Sequence, residues 1–273
     1  ATALPSGLIP CSAGSTATAY GLATYGVRAK STAVFGETTL NFNDRLRAIA
    51  GLRYTQDDLS YYHERFASAA GVPGVAGTRA RVVGSTTEKA WSGRVGPQYD
   101  IDKETMAYAT VSRGYKGPAY NVFFNMSPTQ DNVLAPEKSK SYEVGLKNTL
   151  LDGRLRLNLA AFQTDYTGYQ ANVPDLVGGV VVTRLINAGD VSTKGVEMDL
   201  QARLTPQLSI NSGLAYTKAR VKNFNCPVGA AASCDINGKP LPFAPDWKAS
   251  LRVTYTQPLS AGLTLEYGAD ANW

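Results

Sequence analysis

Residues 191–221 read VSTKGVEMDLQARLTPQLSINSGLAYTKARV. Val196, Met198, Leu200, Ala202 and Leu204 alternate with Glu197, Asp199, Gln201 and Arg203. After Thr205, Pro206 and Gln207 the alternation resumes, with Leu208, Ile210, Leu214 and Tyr216 set against Ser209, Asn211, Gly213, Ala215 and Thr217. Successive side chains of a β-strand point to opposite faces, so a period of two predicts two strands with one apolar and one charged face, joined by a tight turn.

The pattern repeats in both directions. Leu46, Ala48, Ala50, Leu52 and Tyr54 oppose Arg47, Ile49, Gly51, Arg53 and Thr55, and Trp91, Val95, Pro97 and Tyr99 oppose Ser92, Arg94, Gly96 and Gln98. Tyr142, Val144 and Leu146, then Leu155, Leu157, Leu159 and Ala161, behave alike, as do Trp247 to Tyr255 and Leu263 to Ala271. Residues 30–42 and 105–116 are strand-like with apolar residues on both parities. Pro97 cannot donate to a ladder, which predicts a bulge there. Ten strands result, an all-β chain, and its 15 Tyr against 3 Met and 1 His suit that class.

The connections carry an independent signal. Asn43-Asp44, Asp102-Lys103-Glu104, Asp152-Gly153, Thr205-Pro206-Gln207 and residues 259–262 read as tight turns. Between them fall longer polar stretches at 59–88, 117–137, 171–179 and 223–244. Short and long connections alternate, so all the turns lie on one side of the sheet and all the loops on the other. No apolar run reaches the roughly 18 residues of a membrane helix, so any crossing must be made by strands. Strands at 45–58, 154–170 and 245–258 are long enough to cross at a tilt, and Tyr54, Trp91, Tyr99, Tyr166, Tyr169, Trp247 and Tyr255 gather near their ends, as at a membrane interface. The reading is an antiparallel transmembrane β-barrel, apolar toward lipid and charged toward the lumen. A smaller self-contained barrel, acting as a passive pore or adhesin, and a soluble β-sandwich binding module stay open beside it.

Several stretches in this order then resemble one family: STAVFGETTLNFNDRLRAIAGLRYTQDD, WSGRVGPQYDIDKETMAYATVSRGYKGPAYN, LAPEKSKSYEVGLKNTLLDGRLRLNLAAFQTDYTGYQAN, LINAGDVSTKGVEMDLQARLTPQLSINSGLAYTKARV and FAPDWKASLRVTYTQPL. As a set, from residue 30 onward, they are similar to the barrel of TonB-dependent outer-membrane receptors. The resemblance implies that residues 1–273 are a partial barrel, with the plug domain and the closing C-terminal strands absent. It implies localisation in the bacterial outer membrane and energised uptake of a scarce solute, most commonly a ferric siderophore. The implied partners are TonB, reached through the plug, a ferric chelate as substrate, and outer-membrane lipid and lipopolysaccharide.

Carried over by position, the long loops meet the substrate first. In the first of them Tyr61, Tyr62, His63, Arg65, Arg79 and Arg81 offer aromatic and cationic contacts to an anionic chelate. A solvated loop, with Arg and Lys near lipopolysaccharide phosphates, is the plainer reading of the same residues. The phrase SRGYKGPAYN, with Arg113, Tyr115 and Lys116, reads as rim architecture.

The remaining motifs are quiet. Cys226 and Cys234, eight positions apart in a polar loop, suit a loop disulfide in an oxidising compartment better than a metal site. Cys11 follows LIP, only superficially a lipoprotein box, residues 71–77 form a glycine-rich loop, and Asn125-Met126-Ser127 matches a glycosylation acceptor. The net charge of +5 is scattered, which gives a nucleic-acid partner no support. His63 has no second His or Cys near it in sequence, no nucleophile elbow or phosphate loop is present, and neither enzymatic activity nor a cofactor is expected.

Overall fold

The computed structural model describes residues 21–67, 77–122, 133–177, 180–224, 226 and 234–273. The Cys11 segment, residues 71–76 and the Asn125 acceptor lie outside the described residues. Ten strands run β1 Gly21–Asn41, β2 Leu46–Ala67, β3 Arg79–Asp100, β4 Thr105–Lys116, β5 Glu137–Leu150, β6 Leu155–Val177, β7 Val180–Arg203, β8 Leu208–Phe224, β9 Trp247–Pro258 and β10 Thr264–Asn272. They form one antiparallel sheet in chain order, in which β1 and β10 do not pair with each other. The sheet is therefore an open arc. That excludes a ten-stranded closed pore in this structure, and one continuous sheet is not a sandwich.

The tight turns share a device. Asn43 Oδ1 accepts from the backbone N–H groups of Arg45 and Leu46 at 2.9 and 2.8 Å, and Asp102 Oδ1 accepts from Glu104 and Thr105 at 2.8 Å each. Thr205 Oγ1 accepts from Gln207 and Leu208 at 3.2 and 3.0 Å. In each case a short polar side chain satisfies the two N–H groups that the reversal leaves without a ladder partner. The β5–β6 turn instead uses left-handed backbone at Leu151, Asp152 and Gly153, at φ of 55°, 54° and 82°. The β9–β10 connection contains one 3₁₀ turn, Ser260–Gly262.

Register places the alternating faces in line across the arc. Leu157 pairs with Leu200, Leu159 with Met198, Met198 with Leu214, and Ile210 with Val253, all on the outer face. These side chains are not a buried core: Val34 is 75% exposed, Val144 56%, Leu251 44% and Leu265 46%. Their apolar span has a constant height. On the outer face it runs over nine residues from Leu46 to Tyr54, Trp91 to Tyr99, Leu208 to Tyr216 and Trp247 to Tyr255. Nine residues at about 3.4 Å, tilted by about 40°, rise about 23 Å, close to the apolar band of a membrane barrel. Aromatic pairs mark its edge on the long-loop side: Tyr54 against Trp91 with ring centroids 4.8 Å apart, and Tyr216 against Trp247 at 4.6 Å.

The inner face carries paired charge. Arg94 of β3 reaches over Gly51 of β2 to grip Glu37 of β1, with Nε to Oε2 at 2.9 Å and Nη2 to Oε1 at 3.0 Å. Gly51 permits this, since a Cβ there would lie 3.1 Å from Glu37 Oε2. Arg47 binds Asp100 through both terminal nitrogens and Gln98 through Nε. Tyr108 lies over Gly145 and donates to Glu143 at 2.7 Å.

Three expectations from sequence are corrected. The stretch 59–88 is no loop for most of its length, because β2 continues to Ala67 and β3 begins at Arg79. Likewise residues 171–177 are strand, since β6 runs to Val177 and β7 begins at Val180. Both hairpins leave the apolar band, and above it the inner face is buried with polar side chains among the apolar ones, so hydropathic alternation fades while backbone pairing continues. Pro97 causes no bulge: pairing toward β4 lapses at Gly96 and Pro97 and resumes at Gln98 in the same register. The register shift in this hairpin falls instead between His63 and Arg65.

The facing pattern predicts unequal costs at adjacent positions in the full-length barrel. Leu200→Arg, at mid-height on the outer face, should destabilise by about 2–4 kcal/mol, and Asp199→Arg by far less. Urea unfolding in lipid vesicles measures both; equal costs would mean the outer face is not lipid-exposed.

Candidate ligand-binding mouth

Beyond Tyr54 and Trp91 the β2–β3 hairpin projects by some 12 residues per strand, and strict alternation divides the six residues singled out above. Tyr61, His63 and Arg65 continue the inner face of Arg47 and Arg53, while Tyr62 and Glu64 continue the outer face. Arg79 pairs with Arg65 and so joins the inner set. Arg81 stays outside, its guanidinium 4.5 Å from the Tyr62 ring and Nη1 3.4 Å from Glu64 Oε1. Four of the six thus share a surface that the other two do not.

The inner set is largely enclosed. Tyr61 is 5% exposed, His63 is fully buried and Arg65 is 9% exposed. Tyr61 lies flat across Gly84, where a Cβ would stand 2.2 Å from its Cε1, and meets the ring of Tyr120 at 4.4 Å. Tyr25 of β1 stacks on His63 at 6.0 Å. Arg65 Nε donates to the Gly77 carbonyl at 2.7 Å. Burial, and then the adjacent Arg79, lower the proton affinity of Arg65 below that of an ordinary arginine. Two guanidinium groups placed directly opposite each other repel, and an anion between them would relieve that cost.

Tyr120 belongs to the β4–β5 connection. In SRGYKGPAYN, Arg113, Tyr115 and Lys116 close the outer end of β4, and the residues after them reach across to other strands. Asn121 Nδ2 donates to the Leu185 carbonyl at 2.7 Å and its Oδ1 accepts from Leu185 N–H at 2.8 Å, so one amide imitates a strand neighbour of β7. Buried Gln170 of β6 donates to the carbonyls of Gly117 and Ala135 at 2.9 and 3.0 Å. Asn187 of β7 accepts from Ala135 N–H at 2.8 Å and donates to its carbonyl at 2.9 Å. An antiparallel bridge between Ala119 and Leu134 closes the base of the loop. The strap therefore runs from Tyr61 on β2 to Leu185 on β7, across the mouth of the arc. A tyrosine, an asparagine and a glutamine in polar sequence carry no signal for this, because their partners lie 35 to 64 positions away.

In the last long connection Cys226 and Cys234 are joined, with Cα atoms 5.9 Å apart, the Lys239 carbonyl accepts from Val221 N–H, and Leu241 N–H donates to the Ala219 carbonyl. Among the described residues no three His, Cys, Asp or Glu side chains converge to hold a metal ion.

Chemically, this mouth sets tyrosine rings and guanidinium groups together above a polar lumen. Comparison with known proteins agrees with the architecture. Residues 7–273 match the family model described as TonB dependent receptor-like, beta-barrel. The ferric-pyoverdine 358 receptor of Pseudomonas putida is 29% identical over 123 residues, 44% of this chain and 14% of that protein. The metal-pseudopaline receptor CntO of Pseudomonas aeruginosa is 27% identical over 183 residues, 67% of this chain and 23% of that protein. Among solved structures, the ferric yersiniabactin uptake receptor FyuA of Yersinia pestis superposes with a TM-score of 0.72 at 22% identity, covering 93% of this chain and 35% of that one. The chain thus spans less than a quarter of the length of these two sequence relatives.

Each tie of the strap contributes about 0.5–1.5 kcal/mol. Asn121→Ala or Gln170→Ala in the full-length protein should speed proteolysis within residues 117–136 by about fivefold, the equivalent of about 1 kcal/mol. An unchanged cleavage rate in both variants would show that the strap is held by other contacts.

Proposed function

Because the chain belongs to the TonB-dependent receptor family, we propose that it forms part of the outer-membrane barrel of a receptor that takes up an anionic metal chelate, a ferric siderophore foremost. The barrel sits in the outer membrane of a Gram-negative cell, and the family consists of transport receptors. Residues 1–273 supply one arc of the wall and part of the extracellular mouth. TonB acts on the whole receptor through a plug domain, and lipid with lipopolysaccharide surrounds the apolar band.

One observation carries the cargo assignment. Tyr61, Arg65 and Arg79 share the inner face of the projecting hairpin, and Tyr120 is drawn across to meet Tyr61. Deprotonated oxygen donors give a ferric chelate negative charge and a flat aromatic or amide surface. Paired guanidinium groups recognise the first and tyrosine rings the second. In an enclosed mouth these contacts are screened less than on an open loop. Two relatives named for chelate receptors support the class of ligand, and the pseudopaline receptor widens the metal beyond iron.

The split between the faces provides the test. Uptake of radio-iron from a panel of ferric siderophores is measured in iron-limited cells expressing the full-length receptor, with and without TonB. Arg65→Ala with Arg79→Ala should raise the half-saturating concentration about tenfold, corresponding to about 1.4 kcal/mol. Tyr62→Ala with Arg81→Ala, on the outer face, should leave it unchanged. Equal effects of the two pairs, at equal surface expression, would remove the inner face from the binding site.

A further inference from the structure

SRGYKGPAYN ends β4 with a tyrosine, Tyr115, that the mouth described above does not use. β3 and β4 pair only up to Gly93 and Arg113. Above that row the two strands part: β3 goes on beside β2, and β4 passes into the strap after Lys116. At this seam the strap's root lies against Asp57, which continues the inner face of Arg47 and Arg53 on β2. A Cβ on Gly117 would stand 2.8 Å from Asp57 Oδ2 and 3.8 Å from the Tyr115 hydroxyl. That hydroxyl is buried, and the charged groups that act on it are the carboxylates of Asp57 and Glu88.

Asp57 calls for a donor. It stands directly opposite Glu88 of β3, and like charges so placed repel. Neither carboxylate forms an ion pair among the described residues. A hydroxyl that donates to one of them supplies a charge-assisted hydrogen bond, and Gly117 has no side chain to hold the chain off. The far end of the same segment carries Tyr120, whose ring meets Tyr61 at 4.4 Å. Tyr61 lies four residues beyond Asp57 on the same face of β2. The strap thus touches β2 twice, at a polar point and an aromatic one, before it crosses to Leu185 on β7.

We propose that Tyr115 and Asp57 are positioning residues for chelate binding: the hydroxyl donates to the carboxylate, sets the root of the strap on β2 and thereby places the Tyr120 ring beside Tyr61. The proposal rests on the chelate reading above and deepens it, because it assigns residues that act through Tyr120 and do not touch the ligand. Without this latch the strap stays tied to β6 and β7 through Gln170, Asn187 and Asn121, while Tyr120 is free to leave Tyr61. Only receptors with the strap in place offer both tyrosine rings, so apparent affinity falls with the latched fraction. Saturating chelate draws the strap back, so the capacity for uptake is kept.

The test follows radio-iron uptake from ferric siderophores by the full-length receptor at equal surface expression, with heat-dependent gel mobility establishing that each variant is folded. Tyr115→Phe and Asp57→Ala should each raise the half-saturating concentration about fivefold and leave the maximal rate unchanged. Asp57→Asn, whose amide oxygen still accepts a hydrogen bond, should recover most of that loss. In a Tyr120→Ala background, Tyr115→Phe should add no further rise, because the latch acts through that ring. Without chelate, proteolysis within residues 117–136 should be faster in Tyr115→Phe than in the parent. Parental affinity in both Tyr115→Phe and Asp57→Ala, a rise of the same size again in the Tyr120→Ala background, or a loss confined to the maximal rate would overturn the proposal. A parent receptor that bound no ferric siderophore would sink the cargo reading alone. The ligand-free proteolysis then decides the latch, and unchanged cleavage in Tyr115→Phe would remove it.

Discussion

Hydrocarbon offers no hydrogen bonds, and that constraint organises the arc. Every N–H and C=O within the band must find a partner on a neighbouring strand, so the strands pair continuously in chain order and Pro97 interrupts pairing only locally. Lipid on one side and water or protein on the other then divides each strand by parity. The nine-residue spans bounded by aromatic residues on β3 and β9 are the same requirement expressed as length. A shift of register by one residue would turn Asp199 and Arg203 toward lipid, so the hydrophobic face and the hydrogen-bond ladder specify one alignment together.

Inside the arc, the low cost of charge depends on geometry. Arg94 and Glu37 are separated by a whole strand and meet because Gly51 leaves the space between them open. Arg47 distributes its donors over Asp100 and Gln98. Pairs of this exposure add little to stability in water. Their importance lies in keeping the inner wall polar and neutralised in patches while leaving a surface that another protein layer or a hydrated solute can face.

Above the band the physics changes. Lipid no longer wets one face, and the buried inner face of β2 carries Tyr61, His63 and Arg65, so the projecting hairpins keep their backbone pairing without an apolar–polar alternation. Buried apolar residues such as Leu59, Tyr61, Val191, Ala219 and Val221 lie in this projecting region, which makes it the packed part of the molecule. The strap from Gly117 to Asn121 is tied down by Asn121, whose amide reads the Leu185 backbone of β7, and by Gln170 of β6, whose amide donates to the Gly117 carbonyl. The mouth is thus a folded unit in its own right, held to the barrel by strands that simply do not stop at the membrane.

How far the sequence alone could reach follows from these two regimes. Where one face met lipid, period-two alternation stated strand, face and register directly, and the turn residues Asn43, Asp102 and Thr205 declared their reversals through local hydrogen bonding. Where lipid no longer met one face and the buried face carried polar side chains such as His63 and Arg65, the same signal vanished, and residues 59–67 and 79–88 read as loop although they are strand. Tyr61, Arg65 and Arg79 were legible as a residue type suited to an anion, but not as companions distinct from Tyr62 and Arg81. That separation comes from strand parity and a one-residue register shift beyond His63. Tyr120 and Asn121 were invisible as part of the mouth, because contacts across some 60 positions of chain leave no local pattern. Local periodicity, imposed by solvent, determined the wall of the barrel; the contents of its mouth were decided by tertiary packing, since only the folded arc brings β2, β4 and β7 within reach of one strap.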